Sequence, residues 1–177
     1  MEKLGLKPHQ YFLFTTHREE NVDDKQNLQK IVAILKEMRG KYDKEIVFSM
    51  HPRTAKMLET FEMMEQVKNI EGVHIIEPIG YLDFLKLQSN SHLILTDSGG
   101  IQEESCILGI PCVTLRNNTE RPETVEVGAN SVAGLETESV LKAVEQMKQK
   151  SGDWRNPFGD GTAAETIIET VATHLDK

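Results

Sequence analysis

The sequence contains only two cysteines, Cys106 and Cys112, with five residues between them. This spacing fits neither a metal clamp nor a redox-active C-x-x-C pair. Because both cysteines lie in apolar stretches, we expect two buried free thiols in a reducing compartment. Histidine pairs at metal-binding spacing are absent as well, so the sequence predicts no metal and no cofactor.

Long apolar runs and an excess of positive charge are also missing. No stretch approaches the roughly 20 apolar residues that a membrane helix needs, and residues 1–10 have no apolar core of the signal-peptide kind. We therefore expect a cytoplasmic protein without a membrane partner. Lys and Arg total 20 against 28 Asp and Glu, a net charge of −8, which argues against nucleic acid as a partner. One small anion remains a suitable ligand, because a local site can hold it.

What the sequence does contain is a regular alternation of strand-like and helix-like runs. Strands are predicted at residues 11–16, 45–50, 73–77, 92–96, 111–115 and, as a short sixth, 131–133. Apolar residues recur at helical spacing between them; the run at 28–38 is predicted to end at Gly40, and residues 52–64 to form one helix. Strands that are apolar on both faces need helices on both sides of the sheet. The predicted fold is therefore α/β, a doubly wound parallel, Rossmann-like sheet in a single domain spanning residues 1–177.

The end of the chain has a different composition. Residues 151–161 are rich in glycine and contain the only tryptophan, so residues 151–177 are predicted to form a loop followed by a closing helix. Thr162 and Glu165 fit a capping box at its start. Ile167, Ile168 and Val171 are predicted to form its apolar face.

The segment TDSGGIQEE, residues 96–104, follows the fourth predicted strand and begins a helix. In doubly wound sheets, ligands bind beyond the carboxyl ends of the strands. Gly99 and Gly100 let backbone N–H groups approach a ligand closely, and the helix N-terminus favours an anion. Ser98 can cap the helix and add a hydroxyl donor. The segment predicts a phosphate-binding turn, with a capped turn that binds nothing as the alternative; it matches neither a P-loop nor a dinucleotide fingerprint.

Two carboxylates, Glu103 and Glu104, lie in the first turns of the same helix. They can complement the helix dipole without any ligand. If a nucleotide binds, one of them should meet the ribose hydroxyls, because a carboxylate repels phosphate. We select Glu103, which lies one turn after Gly99.

Basic side chains follow three of the other predicted strands. They are His17 and Arg18 after the first strand, His51 and Arg53 after the second, and Arg116 and Arg121 after the fifth. Each can be held by a neighbouring carboxylate instead of a ligand. Their convergence at one edge of the sheet nevertheless predicts a single anionic site, and a histidine there can also move a proton near neutral pH.

Together these segments resemble a known family. THREEN (16–21), HPR (51–53), DSGGIQEE (97–104), GIPCVTLRNNTERPE (109–123) and NPFGDG (156–161) occur in this order, and they resemble the non-hydrolysing UDP-N-acetylglucosamine 2-epimerases from about residue 10 to the end. The resemblance implies one half of a two-domain glycosyltransferase-B-type fold, namely the C-terminal, UDP-binding domain. It also implies conversion of UDP-N-acetylglucosamine to UDP-N-acetylmannosamine, by elimination and re-addition of UDP, in cell-surface polysaccharide biosynthesis.

The resemblance assigns roles to individual residues. It implies UDP binding by Ser98, Gly99, Gly100 and Glu103, with Glu103 as the ribose-binding carboxylate. Arg116 and Arg121, in the basic loop after the fifth strand, are predicted to bind UDP as well. His17 matches a catalytic histidine at the diphosphate.

Arg18 and His51 match positions that contact a second, allosteric UDP-N-acetylglucosamine in bacterial members. Glu19 stands where the family often has a second arginine, and Arg53 and Thr54 follow His51 where it often has a second histidine. The family's acid/base carboxylates lie in its N-terminal domain, so the resemblance implies that this chain needs such a domain, in cis or in trans. Full-length members are expected to be homodimeric.

Two other functions stay open at this stage. The chain can be a non-catalytic UDP-sugar-binding module, or the donor domain of a glycosyltransferase-B enzyme. The His17–Arg18 pair and the TERPE segment at 119–123 favour the epimerase.

Overall fold

The computed structural model describes residues 5–175. Its strands form one six-stranded parallel sheet in the order β3-β2-β1-β4-β5-β6. The strands are β1 (Tyr11–Thr15), β2 (Glu45–Ser49), β3 (Val73–Ile76), β4 (Leu93–Thr96), β5 (Cys112–Thr114) and β6 (Asn130–Val132). The helices are α1 (Glu19–Val22), α2 (Lys25–Lys41), α3 (Pro52–Thr60), α4 (Met64–Lys68), α5 (Tyr81–Ser89), α6 (Gly99–Ile107), α7 (Pro122–Glu126), α8 (Thr137–Met147) and α9 (Ala163–Leu175).

Strand β1 shows why the sheet is covered on both faces. All of its residues are buried, and successive side chains of a strand point to opposite faces. Phe12 and Phe14 belong to a core cluster with α2 and α8, whereas Tyr11 and Leu13 belong to a second cluster. The prediction of a doubly wound α/β sheet is confirmed.

The strand order reverses between β1 and β4, which are paired in register with Thr15 opposite Thr96. The segments that follow these two strands therefore leave the sheet side by side. This is the topological switch point at which doubly wound folds bind ligands.

Two predicted helix boundaries are wrong. Gly40 does not end the first long helix, because α2 continues through it to Lys41; a glycine is tolerated near a helix end at a modest cost. Residues 52–64 do not form one helix, because α3 ends at Thr60 and Glu62 has a left-handed backbone with φ 59°. Such a residue interrupts a right-handed helix, and α4 begins after it.

The final helix forms where the sequence predicts it, but its start and its apolar face differ from the prediction. The hydroxyl of Thr162 donates to Asp160 Oδ1 at 2.6 Å, so it serves a local turn. Ile167, Ile168 and Val171 are exposed, and Ile167 and Val171 line a groove on α9 instead of packing into the core. No helix within residues 5–175 combines the length and apolar character needed to cross a membrane.

Candidate functional site

The two segments at the switch point meet at the buried carboxylate of Asp97, the first residue after β4. Asp97 Oδ2 accepts a hydrogen bond from the Thr16 hydroxyl at 2.6 Å and from the backbone N–H groups of His17 and Arg18, each at 2.9 Å. Asn21 adds a side-chain amide donor at 3.0 Å. The loop after β1 is therefore fixed to the turn after β4.

These donors also set the charge of Asp97. Burial alone would raise its pKa, but the hydrogen bonds from His17, Thr16 and the backbone N–H of Arg18 outweigh burial and hold the pKa below its ordinary value. Asp97 is thus a carboxylate at neutral pH, although its side chain is 0% exposed. The sequence interpretation gave Asp97 no role; the signal for it was an acidic residue placed directly after an almost wholly apolar strand.

The predicted phosphate-binding turn lies at the N-terminus of α6, where the first N–H groups of a helix have no intrahelical partner. Gly99 is buried against the loop after β5, and a Cβ atom there would lie 3.2 Å from Glu120 Oε2. Gly100 is exposed, and a Cβ atom there would meet nothing within 4 Å. Ser98 occupies the cap position with its side chain making no capping bond, so its hydroxyl is available to a ligand and the predicted capping role is wrong.

Three of the predicted basic side chains gather beside this turn. Arg18 lies 3.3 Å from Glu120 Oε2, and Arg116 Nη1 donates to Glu120 Oε1 at 2.9 Å. Arg116 also donates to Glu20 at 2.6 Å and is only 9% exposed. The hydrogen bond and charge of Arg116 first, and then the charges of Arg18 and Arg121, hold the pKa of Glu120 below its ordinary value.

The two candidate ribose carboxylates have different partners. Glu103 forms an ion pair with Arg121. Glu104 accepts a hydrogen bond at 2.5 Å from the amide of Gln88, which is fully buried. Both carboxylates are half-buried, and each is oriented by a single side chain.

His51 and Arg53, the basic residues after β2, take separate positions. The imidazole rings of His51 and His17 lie 5.3 Å apart at an angle of 36°, so His51 joins the switch-point cluster. Arg53 instead pairs with Asp23 at 2.6 Å and Glu19 at 2.9 Å. It therefore supports α1 and does not reach the turn at Gly99.

A polar network that the sequence interpretation missed holds the loop after β5. The Thr119 hydroxyl donates to the side-chain oxygen of the buried Gln102 and accepts from the backbone N–H of Arg121 at 2.9 Å. The Asn130 amide donates to the same Gln102 oxygen at 3.2 Å. These bonds place Arg121 and Glu120 against α6; no local pattern in the sequence pairs Gln102 with Thr119.

Metal binding has no support from the geometry. Across the described residues 5–175, no group of three or more His, Cys, Asp or Glu side chains is arranged to hold a metal ion. The site combines a helix N-terminus, clustered arginines and a histidine, which suits an anion with several oxygens.

Comparisons with known proteins agree with this chemistry. The family model described as UDP-N-acetylglucosamine 2-epimerase matches residues 1–172. The UDP-N-acetylglucosamine 2-epimerase of Methanocaldococcus jannaschii is 56% identical over 161 residues, which are 91% of this chain and 44% of that protein. The chain thus spans about half the length of the relatives it matches.

Solved structures give the same match in three dimensions. The crystal structure of the Methanocaldococcus jannaschii UDP-GlcNAc 2-epimerase in complex with UDP-GlcNAc and UDP has a TM-score of 0.88 and 53% identity, covering 94% of this chain and 46% of that one. An Escherichia coli heptosyltransferase, WaaC, has a TM-score of 0.60 at 9% identity over 78% of this chain and 44% of its own, a likeness of fold alone. From its sequence and its structure alike, the chain belongs to the UDP-N-acetylglucosamine 2-epimerase family.

Proposed function

We propose that this chain is the UDP-binding part of an enzyme that interconverts UDP-N-acetylglucosamine and UDP-N-acetylmannosamine. The observation that carries the proposal is the meeting of the α6 N-terminus with Arg18, Arg116 and Arg121 at the switch point. A diphosphate matches this arrangement, because helix amides and guanidinium groups both favour phosphate oxygens. The relatives supply the identity of the nucleotide and of the sugar.

The nucleotide-binding roles follow from this placement. The backbone N–H groups of Gly99 and Gly100 and the unused hydroxyl of Ser98 hold the diphosphate, with Arg121 and the more buried Arg116 supplying positive charge. Glu103 accepts the ribose hydroxyls. Its ion pair with Arg121 links the two ends of the nucleotide site.

His17 is the proposed catalytic residue. Elimination of UDP leaves negative charge on the diphosphate, and a histidine beside it can meet that charge with a hydrogen bond. The ring of His17 is held by Asp97 at 3.1 Å, at the edge where the nucleotide is proposed to bind.

The same geometry argues against turnover by this chain alone. Removal of the sugar C2 proton needs a positioned base, and the carboxylates near the turn are each held by another side chain. Asp97 is buried against His17, and Glu104 accepts a hydrogen bond from Gln88. The others are paired with arginine: Glu19 with Arg53, Glu20 and Glu120 with Arg116, and Glu103 with Arg121. We therefore assign the acid/base carboxylates to a further, N-terminal domain, supplied in cis or in trans, and homodimerisation to the full-length assembly.

Arg18 and His51 are proposed to contact a second molecule of substrate. Both lie at the rim of the switch point, Arg18 against Glu120 and His51 against His17. A cytoplasmic location completes the proposal, because Cys106 and Cys112 are free and buried, as in reducing compartments.

The two alternatives make different demands on the chain. A non-catalytic binding module needs the diphosphate site but not the His17–Asp97 pair. A glycosyltransferase donor domain is favoured only by a likeness of fold, which does not carry function. Family membership and the placement of His17 favour the epimerase.

The proposal is tested by calorimetry of the purified chain with UDP, UDP-N-acetylglucosamine and ADP. We expect weak but saturable binding of the two uridine nucleotides and weaker binding of ADP. Gly99→Val should abolish binding, because its side chain displaces Glu120 and blocks the backbone approach; unchanged UDP affinity would show that the phosphate assignment is wrong. In deuterium oxide, the isolated chain should leave sugar C2 undeuterated, and addition of the N-terminal half should restore exchange.

A further inference from the structure

The hydrogen-bond donors around Asp97 determine the protonation of its neighbours. Thr16, Asn21 and the backbone N–H groups of His17 and Arg18 all point a proton at Oδ2. A protonated Oδ2 would direct a second hydrogen at one of these donors. The carboxyl group is therefore held in its ionised form, in agreement with its lowered pKa.

The second oxygen of this carboxylate faces a ring nitrogen. Asp97 Oδ1 lies 3.1 Å from Nδ1 of His17, and the two side chains are 0% and 34% exposed, respectively. An ionised carboxylate only accepts hydrogen bonds, so Nδ1 of His17 must carry a proton. In the neutral ring, Nε2 is then the nitrogen without one.

The ring of His51 lies beside the ring of His17. Its imidazole packs 5.3 Å from that of His17, and its Nδ1 accepts the backbone N–H of Arg53 at 3.1 Å. Burial, followed by the charges of His17 and Arg53, lowers the pKa of His51. His51 therefore takes up a proton less readily than an ordinary histidine, and its Nδ1 already serves as an acceptor.

We propose that Asp97 is a positioning residue that fixes His17 in the Nδ1-protonated tautomer and leaves Nε2 as the nitrogen that meets a ligand. The arrangement is analogous to the Ser-His-Asp triad, in which a buried aspartate holds the catalytic histidine in one tautomer and one orientation. Its consequence for catalysis rests on the proposed function. When Nε2 takes a proton from solvent, the imidazolium donates a hydrogen bond to a diphosphate oxygen and the carboxylate of Asp97 balances the charge.

The tautomer can be read directly, without any nucleotide. Long-range ¹H–¹⁵N spectra of the histidine-labelled chain, recorded at a mildly alkaline pH, distinguish a ring protonated at Nδ1 from one protonated at Nε2. The signals of His17 are assigned by their loss in His17→Gln. We expect His17 to be protonated at Nδ1; an Nε2-protonated ring, or an equal mixture of the two forms, would overturn the proposal.

A pair of variants separates positioning from support of the loop. Thr16→Val removes a donor from the same carboxylate and leaves the contact with Nδ1, so the tautomer of His17 should be unchanged. Asp97→Asn removes the charge and should abolish the preference for Nδ1. The proposal fails if Thr16→Val also shifts the tautomer or if folded Asp97→Asn retains it; if Asp97→Asn does not fold, the parent spectrum decides.

The outcome is independent of the proposed function. Absence of UDP binding together with an Nδ1-protonated His17 would refute the assigned ligand and leave the positioning role intact. UDP binding together with an Nε2-protonated ring would refute the positioning role alone.

Discussion

Glu103 and Arg121 form an ion pair that joins the first turns of α6 to the loop after β5. One residue is the proposed ribose ligand and the other a proposed phosphate ligand. The ion pair thus links the two ends of the proposed nucleotide site, and we expect a change at either residue to affect both.

The first prediction concerns ribose recognition. If Glu103 accepts the ribose hydroxyls, UDP should bind more tightly than 2′-deoxy-UDP by about 1–3 kcal/mol, the range for a lost hydrogen bond to a charged group. Glu103→Gln should reduce this difference, whereas Glu104→Gln should keep it, because Glu104 contacts Gln88 and not Arg121. Calorimetry with both nucleotides measures the difference, and loss of discrimination in Glu104→Gln instead would transfer the role to Glu104.

The second prediction separates stability from binding at Gly100. An alanine methyl group there meets no protein atom within 4 Å and favours the helix by up to about 1 kcal/mol. Gly100→Ala should therefore leave the free energy of unfolding equal or higher, yet weaken UDP binding, because the methyl group stands where the phosphate approaches.

Gly40→Ala is the matched control for this experiment. Gly40 is exposed in α2, and a Cβ atom there also meets nothing within 4 Å. This variant should gain similar stability, measured by urea unfolding, and bind UDP like the parent. Unchanged UDP affinity in Gly100→Ala would mean that no phosphate approaches this turn.

The third prediction concerns Glu120, whose carboxylate lies between Arg18 and Arg116 and beside Gly99. This carboxylate neutralises the guanidinium groups proposed to attract the diphosphate. Glu120→Gln should therefore tighten UDP binding by roughly 0.2–1 kcal/mol, the size expected for one exposed ion pair, and the gain should shrink at high salt.

The exposed Glu123, on α7, offers a control of equal charge. Glu123→Gln should leave UDP affinity unchanged. Weaker binding in Glu120→Gln would show that Glu120 instead organises the arginines for the ligand.

The fourth prediction is a pH dependence of stability. The folded-state pKa of Asp97 lies below its ordinary value of 3.8, so the stabilisation from its ionised form is fully present above the pKa of an unfolded aspartate. That stabilisation is lost as the pH falls through the lower, folded-state pKa. Loss of the Thr16 hydroxyl in Thr16→Val should cost about 1.5–3 kcal/mol at neutral pH, as for a hydrogen bond to a charged group.

Urea unfolding between neutral and acidic pH measures this difference. The gap between the parent and Thr16→Val should be constant down to about pH 5 and narrow below the ordinary range of an aspartate. A gap that is independent of pH would contradict an ionised Asp97 as the partner of Thr16.

Much of the fold could be predicted because its signals are local. The apolar runs of β1 and β4 and the Gly99–Gly100 turn are each read within a few residues, and parallel topology follows from strands buried on both faces. The predictions of helix boundaries were wrong where the backbone conformation of a single residue determines the boundary. Gly40 is tolerated inside α2, whereas Glu62 takes a left-handed backbone that no propensity indicates.

The position of the candidate site and its basic side chains could be predicted from the sequence. The hydrogen bonds and ion pairs between its residues could not. Strand ends of a doubly wound sheet meet at one edge, so Arg18 and Arg116 could be expected near Gly99. Two of the contacts that orient them join positions far apart in the chain, namely Arg18 with Glu120 and Arg116 with Glu20. The role of Asp97 was missed for the same reason, since its donors lie more than 70 residues away in sequence.

The proposal that the switch point binds the diphosphate of UDP is tested most directly by titrating the ¹⁵N-labelled chain with UDP and following its amide signals. We expect saturable shifts concentrated at Gly99, Gly100, His17 and Arg121, with smaller shifts at equal concentrations of ADP. Shifts confined to other parts of the sheet, or none at saturating UDP, would contradict it.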